Sequence, residues 1–331
     1  MKKDMATNPL KALCRPVLCL VLLAAGLSGC ESLYDAEGAC DPVYKARFIY
    51  DMNMSGGDGF PSQVRSVSLW AFHHADGSFA GLFSDAGAAL AADGYRLDLS
   101  GLQPGDYDFI AWCGLDGERS FSVPPTVATA ADLTCDLQTT VQDGVPVSRS
   151  LLSPLFYGSL TQETLPDAAG EHTLTVRLMK NTNNINISLQ QTGGEALDPA
   201  DFTICMTGAN GSLASDNTPS GEITYYPWSV RSGTTDLAEE KVHFIQAEIS
   251  TGRLMADRHP VITITDNAAG RTVYAIPIVE WAKKLRSLQH LAMDDQEYLD
   301  REHEYTVMLH LVNEAGGWKA VSIVINGYEI E

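Results

Sequence analysis

From Tyr44 the chain alternates. Tyr44, Ala46, Phe48 and Tyr50 are apolar at every second position, with Lys45 and Arg47 between them. That period belongs to a strand with one face in a core and the other toward water. Val64 to Phe72 repeats the pattern, with Val67, Leu69 and Ala71 on one side and Trp70 and Phe72 on the other. Asp76-Gly77 predicts a hairpin turn and Pro104-Gly105 a second turn, from which Asp106 to Trp112 leaves as a strand. A further strand is predicted at Leu155 to Leu160, and a new series begins beyond Pro166–Glu171, which reads as the link between two domains. Its members include Leu174–Leu178, Ile185–Leu189, Phe202–Met206, Val242–Ile249, Val261–Thr265, Val273–Ile278, Tyr305–Val312 and Trp318–Ile325. Ile278, Trp281, Ala282, Leu285 and Leu288 instead recur at three or four, which predicts one short amphipathic helix packed on a sheet edge. The chain therefore reads as all-β: two tandem antiparallel β-sandwich domains, 43–168 and 169–331, with one short helix in the second.

The N-terminus follows a different rule. Lys2, Lys3, Lys11 and Arg15 precede an apolar run, Val17 to Ala25, which is followed by Leu27-Ser28-Gly29-Cys30. A basic head, an apolar middle and small residues before a cysteine predict a lipoprotein signal peptide over 1–29, with cleavage before Cys30. The run is well short of the ~20 residues that a membrane span needs. Acyl chains, palmitate among them, are expected on Cys30, and roughly two or more chains hold a protein stably on a bilayer. Residues 30–42 then form a lipidated tether.

Composition narrows the class. The 331 residues carry a formal charge of −20, and losing the basic leader makes the balance more negative. No basic stripe offers a path for nucleic acid, so none is expected as a partner. Of seven cysteines, Cys14 and Cys19 lie in the leader and Cys30 is the lipidation site. Cys40, Cys113, Cys135 and Cys205 remain, in a compartment that permits disulfides. Cys40 with Cys113 is the preferred pair, because both lie in the first half and flank strand-like runs; buried free thiols are the alternative.

Candidate chemistry is sparse. Asp51-x-Asn53-x-Ser55-Gly56 resembles the start of a calcium loop, but Ser62 stands where such a loop needs Glu, so a structured turn is the better reading. His73-His74 are neighbours on a strand and should point to opposite faces. His303 and His310 have an odd offset with the same consequence. The acidic run Asp294 to Glu302 reads as a solvated loop. No nucleophile elbow, zinc-protease motif or phosphate loop occurs, so no catalytic residue, metal or cofactor is expected.

Several stretches together resemble one family. They are Cys30-Glu31-Ser32-Leu33-Tyr34-Asp35 with Cys40-Asp41-Pro42, Tyr50-Asp51-Met52-Asn53-Met54, Val67 to Phe72 with Asp76-Gly77, and Leu102 to Tyr107 with Ala111-Trp112. The most telling is the tail, Gln296 to Arg301 with Glu304-Tyr305, Trp318 and Ile325-Asn326-Gly327-Tyr328. The set is similar to the FimB-like anchor lipoproteins of type V fimbriae. The resemblance implies two transthyretin-like β-sandwiches in an outer-membrane lipoprotein that holds the base of a fimbrium (pilus), limits its length and supports adhesion. It also implies strand exchange with fimbrial stalk subunits. In stalk subunits a protease frees a groove by removing the first strand; here that cut would sever the lipid, so the strand is expected to stay. The alternative is a surface glycan-binding lipoprotein, with Tyr225, Tyr226 and Trp228 stacking on sugars.

Overall fold

The computed structural model describes residues 41–115, 117, 120–237 and 240–330. It is mostly β, with 54% strand against 12% helix. In chain order, the first half contains β1 (Pro42–Met52), α1 (Phe60–Gln63), β2 (Ser66–His73), β3 (Phe79–Ala86), β4 (Leu97–Asp98) and β5 (Gly105–Cys113). There follow β6 (Phe121–Ser122), β7 (Cys135–Leu137), β8 (Thr140–Gln142), β9 (Val145–Ser148), β10 (Phe156–Leu165) and β11 (Gly170–Lys180). The second half contains β12 (Asn183–Thr192), β13 (Phe202–Gly208), β14 (Ser212–Leu213), β15 (Pro219–Ser220), β16 (Ile223–Tyr225), β17 (Ser229–Leu237), β18 (Glu240–Thr251), β19 (Val261–Asp266) and β20 (Arg271–Pro277). Helices α2 (Ile278–Gln289) and α3 (Asp295–Arg301) then lead to β21 (Glu304–Glu314), β22 (Gly317–Ile325) and β23 (Tyr328–Ile330).

The strands form four sheets. A seven-stranded sheet has the order β3-β2-β5-β10-β11-β1-β4. Two six-stranded sheets follow, β17-β18-β12-β21-β22-β23 and β20-β19-β13-β16-β9-β8, and a short sheet runs β15-β14-β7-β6. Strands β10 and β11, on either side of Pro166–Glu171, pair antiparallel with each other. The sheet therefore changes not there but at Asn181–Thr182, between β11 and β12. Conversely, β8 and β9 from the first half pair into a sheet of second-half strands.

The expectation of purely antiparallel sheets is corrected. β12 pairs parallel with β21, and β16 parallel with β9. Parallel neighbours need a long connection. For β21 the helices α2 and α3 fall within it, following β20 of one sheet and leading into another.

Two cores result. Val67, Leu69 and Ala71 of β2 and Phe109, Ala111 and Cys113 of β5 join the first, with Tyr44, Phe48 and Tyr50 of β1. Trp70 and Phe72 of β2, with Ile110 and Trp112 of β5, point into the second. The central strands of the seven-stranded sheet are thus buried on both faces, which explains the apolar residues at consecutive positions. The second core also takes Ile185, Ile187 and Leu189 of β12, Ile262 and Ile264 of β19, and Val307 and Leu309 of β21.

Among the described residues the second half holds two α-helices rather than one. In α2 Ile278, Val279, Ala282 and Leu285 are buried, but Leu288, placed on the same apolar face by its spacing, is 67% exposed. The run 294–302 is not a solvated loop. Asp294 caps α3 by accepting from the Glu297 backbone N–H (2.7 Å), and Tyr298, Leu299 and Asp300 are buried. The cap satisfies one of the unpaired N–H groups of the first turn, and burial of Tyr298 and Leu299 holds a helix too short to persist alone.

Candidate functional site

Strand β1 is the first strand of the described residues, and side chains on both of its faces attach it to the fold. Its alternation places Tyr44, Ala46, Phe48 and Tyr50 inward, all buried. Phe48 stacks on Phe60 at 5.7 Å between centroids, and Tyr50 meets Phe156 edge-on at 5.0 Å. Tyr44 Oη donates to the Pro166 carbonyl (2.8 Å). On the outward face Lys45 pairs with Glu171 (2.8 Å), and Asp51 with Arg177. Both partners advance by six residues between these pairs, so β1 and its neighbour β11 run parallel.

Past β1 the chain is held by its own side chains. Asn53 Nδ2 donates to the carbonyls of Tyr50 (2.9 Å) and Gly57 (2.8 Å), and Asn53 Oδ1 accepts from the Ser55 N–H (3.0 Å). Asp58 Oδ1 accepts from the backbone N–H groups of Tyr50 and Phe60, each at 3.0 Å. The calcium-like spacing therefore spends its oxygens inside the protein, Asp51 on Arg177, Asn53 on Ser55 and Ser55 on the Gly57 N–H. A Cβ on Gly59 would stand 2.8 Å from the Tyr50 ring, which is why that corner takes glycine.

The tail motif closes over this end of β1. Arg301 Nη1 donates to the carbonyls of Asp51 (3.1 Å) and Asn53 (3.3 Å), while its Nε donates to Glu297 (2.9 Å). Its neighbour Asp300 accepts two hydrogen bonds from Arg253, each 2.9 Å, and Arg253 Nη1 also donates to the Asn217 carbonyl (2.9 Å). Gln296 Nε2 donates to Asp300 (3.0 Å) and to the Leu254 carbonyl (3.2 Å). A bidentate guanidinium–carboxylate pair with these extra bonds satisfies the geometry that a buried ion pair requires.

A second polar group sits where β11 passes to β12. Asn181 and Asn217 exchange side-chain hydrogen bonds (2.7 and 3.1 Å), and Asn183 Nδ2 donates to the Gly252 carbonyl (3.0 Å). His303 is buried with Nδ1 3.3 Å from Asn183 Oδ1. Burial, with a smaller contribution from the Lys180 charge, pulls its imidazole down to about 3, so the ring is neutral near pH 7. Burial likewise lowers the Lys180 ammonium. Consecutive polar residues Asn181, Thr182 and Asn183 are thus buried, with both Asn side chains bonded internally, the opposite of a solvated linker.

The residues singled out from sequence fall differently. Cys30 and Cys40 lie outside the described residues, as do 1–29 and the tether up to residue 40. Cys113 faces the first core, and burial pushes its thiol up to about 12. His73 and His74 diverge: His73 lies against the Tyr107 ring, while His74 Nδ1 is 2.9 Å from Asp108. Of the three aromatics considered for sugars, Tyr225 is fully buried and donates to Asn210 (2.8 Å), and Tyr226 lies beneath Arg149. Trp228 is 38% exposed. Among the described residues no helix is long and apolar enough to cross a membrane. Sequence reasoning missed Arg253. No motif surrounds it, and only the unpaired acid in the tail, Asp300, hinted at a buried cation.

Comparison with known proteins bears on this arrangement. The family model described as fimbrillin-A associated anchor proteins Mfa1 and Mfa2 matches residues 37–331. An adhesin candidate of Bacteroides thetaiotaomicron is 30% identical, with a TM-score of 0.76 over 89% of this chain and 99% of that one. A second protein of that organism, named for polysaccharide binding, is 26% identical, with a TM-score of 0.72 over 88% and 98%. The fimbrial anchor protein Mfa2 of Porphyromonas gingivalis shares the fold at 17% identity, with a TM-score of 0.63 over 88% and 99%. No curated protein matches the chain.

Proposed function

Since this chain belongs to the fimbrillin-A associated anchor proteins, we propose that it is an outer-membrane lipoprotein which holds the base of a fimbrium and limits its length. Residues 1–29 are the signal peptide, Cys30 carries the acyl chains, and the tether up to residue 42 delivers the pull to β1. Its work is to hold, in keeping with a structural anchor family, and no turnover is assigned to it.

One observation carries this reading. The strand that continues the tether is an integral member of the seven-stranded sheet, between β11 and β4, with four side chains in the core. Removing β1 would open that core and cut the chain from its lipid, so β1 stays in the assembled subunit. With this groove filled, the contact with a stalk subunit is made by exchange of a strand at another sheet edge, where main-chain groups remain to be paired. We read the body as two transthyretin-like modules that change over at Asn181–Asn183, with Arg301 of the second bonded to the Asp51 and Asn53 carbonyls of the first. If Cys40 bridges to Cys113, it adds a second link from the tether to β5.

The experiment is Cys30→Ala in cells that assemble fimbriae. The protein should appear in the soluble fraction and fimbriae in the medium. Fimbriae that remain attached to cells of this mutant would falsify the proposal.

A further inference from the structure

A cavity of about 390 Å³ opens among the β8–β9 hairpin, β13, β17 and β18, away from the clasp residues. Its size falls in the roughly 300–1,000 Å³ range of small-molecule sites. Phe202, Pro227 and Val230 give it apolar walls, and Tyr226 an aromatic one. The hairpin beside it is fixed by a two-residue turn, Asp143-Gly144, with positive φ at both positions (52° and 82°).

Arg149 is the one charged residue lining this cavity. Its guanidinium carbon lies 3.7 Å from the centre of the Tyr226 ring, and its Nη2 donates to Gln142 Oε1 (2.8 Å). No carboxylate lies within ion-pair distance of it among the described residues. In a chain of charge −20 this is a cation fixed in place with its charge unanswered. A guanidinium held by a ring and an amide keeps N–H groups in a fixed fork, which matches a carboxylate.

We propose that this cavity binds a carboxylate-bearing saccharide, of the uronic or sialic acid class. The carboxylate pairs with Arg149, the Gln142 amide N–H groups meet ring hydroxyls, and an apolar pyranose face lies against Tyr226 and the exposed Val230. A neutral sugar would leave the guanidinium unmatched. An extended acidic peptide is the competing occupant, because β8 and β17 are the outermost strands of their sheets. The two polar groups nevertheless come from different segments, Gln142 at the end of β8 and Arg149 just past β9, rather than being spaced along one edge, and β8 offers only three residues of edge.

The test uses the purified mature chain and calorimetry with sialyllactose, a glucuronate-terminated disaccharide, lactose, and a peptide of alternating Val and Glu. One of the acidic saccharides should bind at least roughly tenfold more tightly than lactose, a difference of about 1.4 kcal/mol. Arg149→Gln should abolish that preference, and Tyr226→Leu should weaken what remains. Arg149 is exposed, so its replacement leaves the fold intact. Absence of acidic-saccharide binding to the unmutated chain, a preference that survives Arg149→Gln, or tight binding of the peptide instead would overturn the assignment. None of these readouts involves fimbriae, so the result is independent of the anchoring proposal.

Discussion

Replacing Asp300 by Ala should be among the most damaging single changes in the second half. Arg253 and Asp300 are only 11% and 7% exposed, so water does not take over the interaction. The change strands the Arg253 guanidinium with one remaining acceptor, the Asn217 carbonyl, and deprives Gln296 of a partner. Breaking a buried pair by removing one member costs about 3–5 kcal/mol. The lost Gln296 bond adds about 1 kcal/mol. Against a total stability of about 5–15 kcal/mol, a loss of about 4–6 kcal/mol should lower Tm by about 8–12 °C at the roughly 2 °C per kcal/mol of a large domain. Urea unfolding of the mature chain reads the free energy directly. The double variant Arg253→Met with Asp300→Leu should recover more than half of the loss, since desolvation of both charges then disappears. A single-mutant loss below about 1 kcal/mol, the value of an exposed pair, would show that the clasp is not a buried one.

Other consequences follow from the same geometry. Arg301→Ala removes the donor to the Asp51 and Asn53 carbonyls. Hydrogen exchange should rise across residues 50–59, and unchanged protection there would separate α3 from β1. Gly158→Ala would press a methyl group to 2.6 Å from the Arg177 carbonyl and 2.7 Å from Val176. It should cost about 1–3 kcal/mol, and an unaltered melting curve would contradict the packing of β10 on β11. His303 gives a pH dependence. The folded state keeps the ring neutral down to about 3, whereas the unfolded chain takes up a proton below 6.5. This contribution is therefore intact above pH 6.5 and is lost as the pH falls toward 3. His303→Gln should flatten unfolding free energy between about pH 7 and pH 4, above the range of ordinary aspartates; an unchanged slope would place the effect elsewhere.

Much of the β architecture was legible because burial of one face writes itself as period two. Tyr44 to Tyr50 alternated in sequence and alternates in burial. The apolar residues on both sides of β2 were legible too, although their meaning, a strand between two cores, needed the sheet order. What failed was long range. Leu174, Val176 and Leu178 alternate equally well in either sheet, and only pairing with β10 places them in the first. Buried polar residues were the other illegible part. Asn181 and Asn183 are buried because they bond the Asn217 side chain and the Gly252 carbonyl, and Asp300 because Arg253, 47 residues earlier in the chain, answers its charge. None of these partners is adjacent in sequence. The tail motif carried the family resemblance without showing its role, which is to grip the end of β1.

The most direct measurement is the N-terminus of the mature protein recovered from outer membranes that bear fimbriae, read by mass spectrometry. A polypeptide that begins at an acylated Cys30 and still contains residues 42–52 is the predicted result. A body that begins beyond Met52, or a Cys30 without acyl chains, would contradict an anchor that works through its retained first strand.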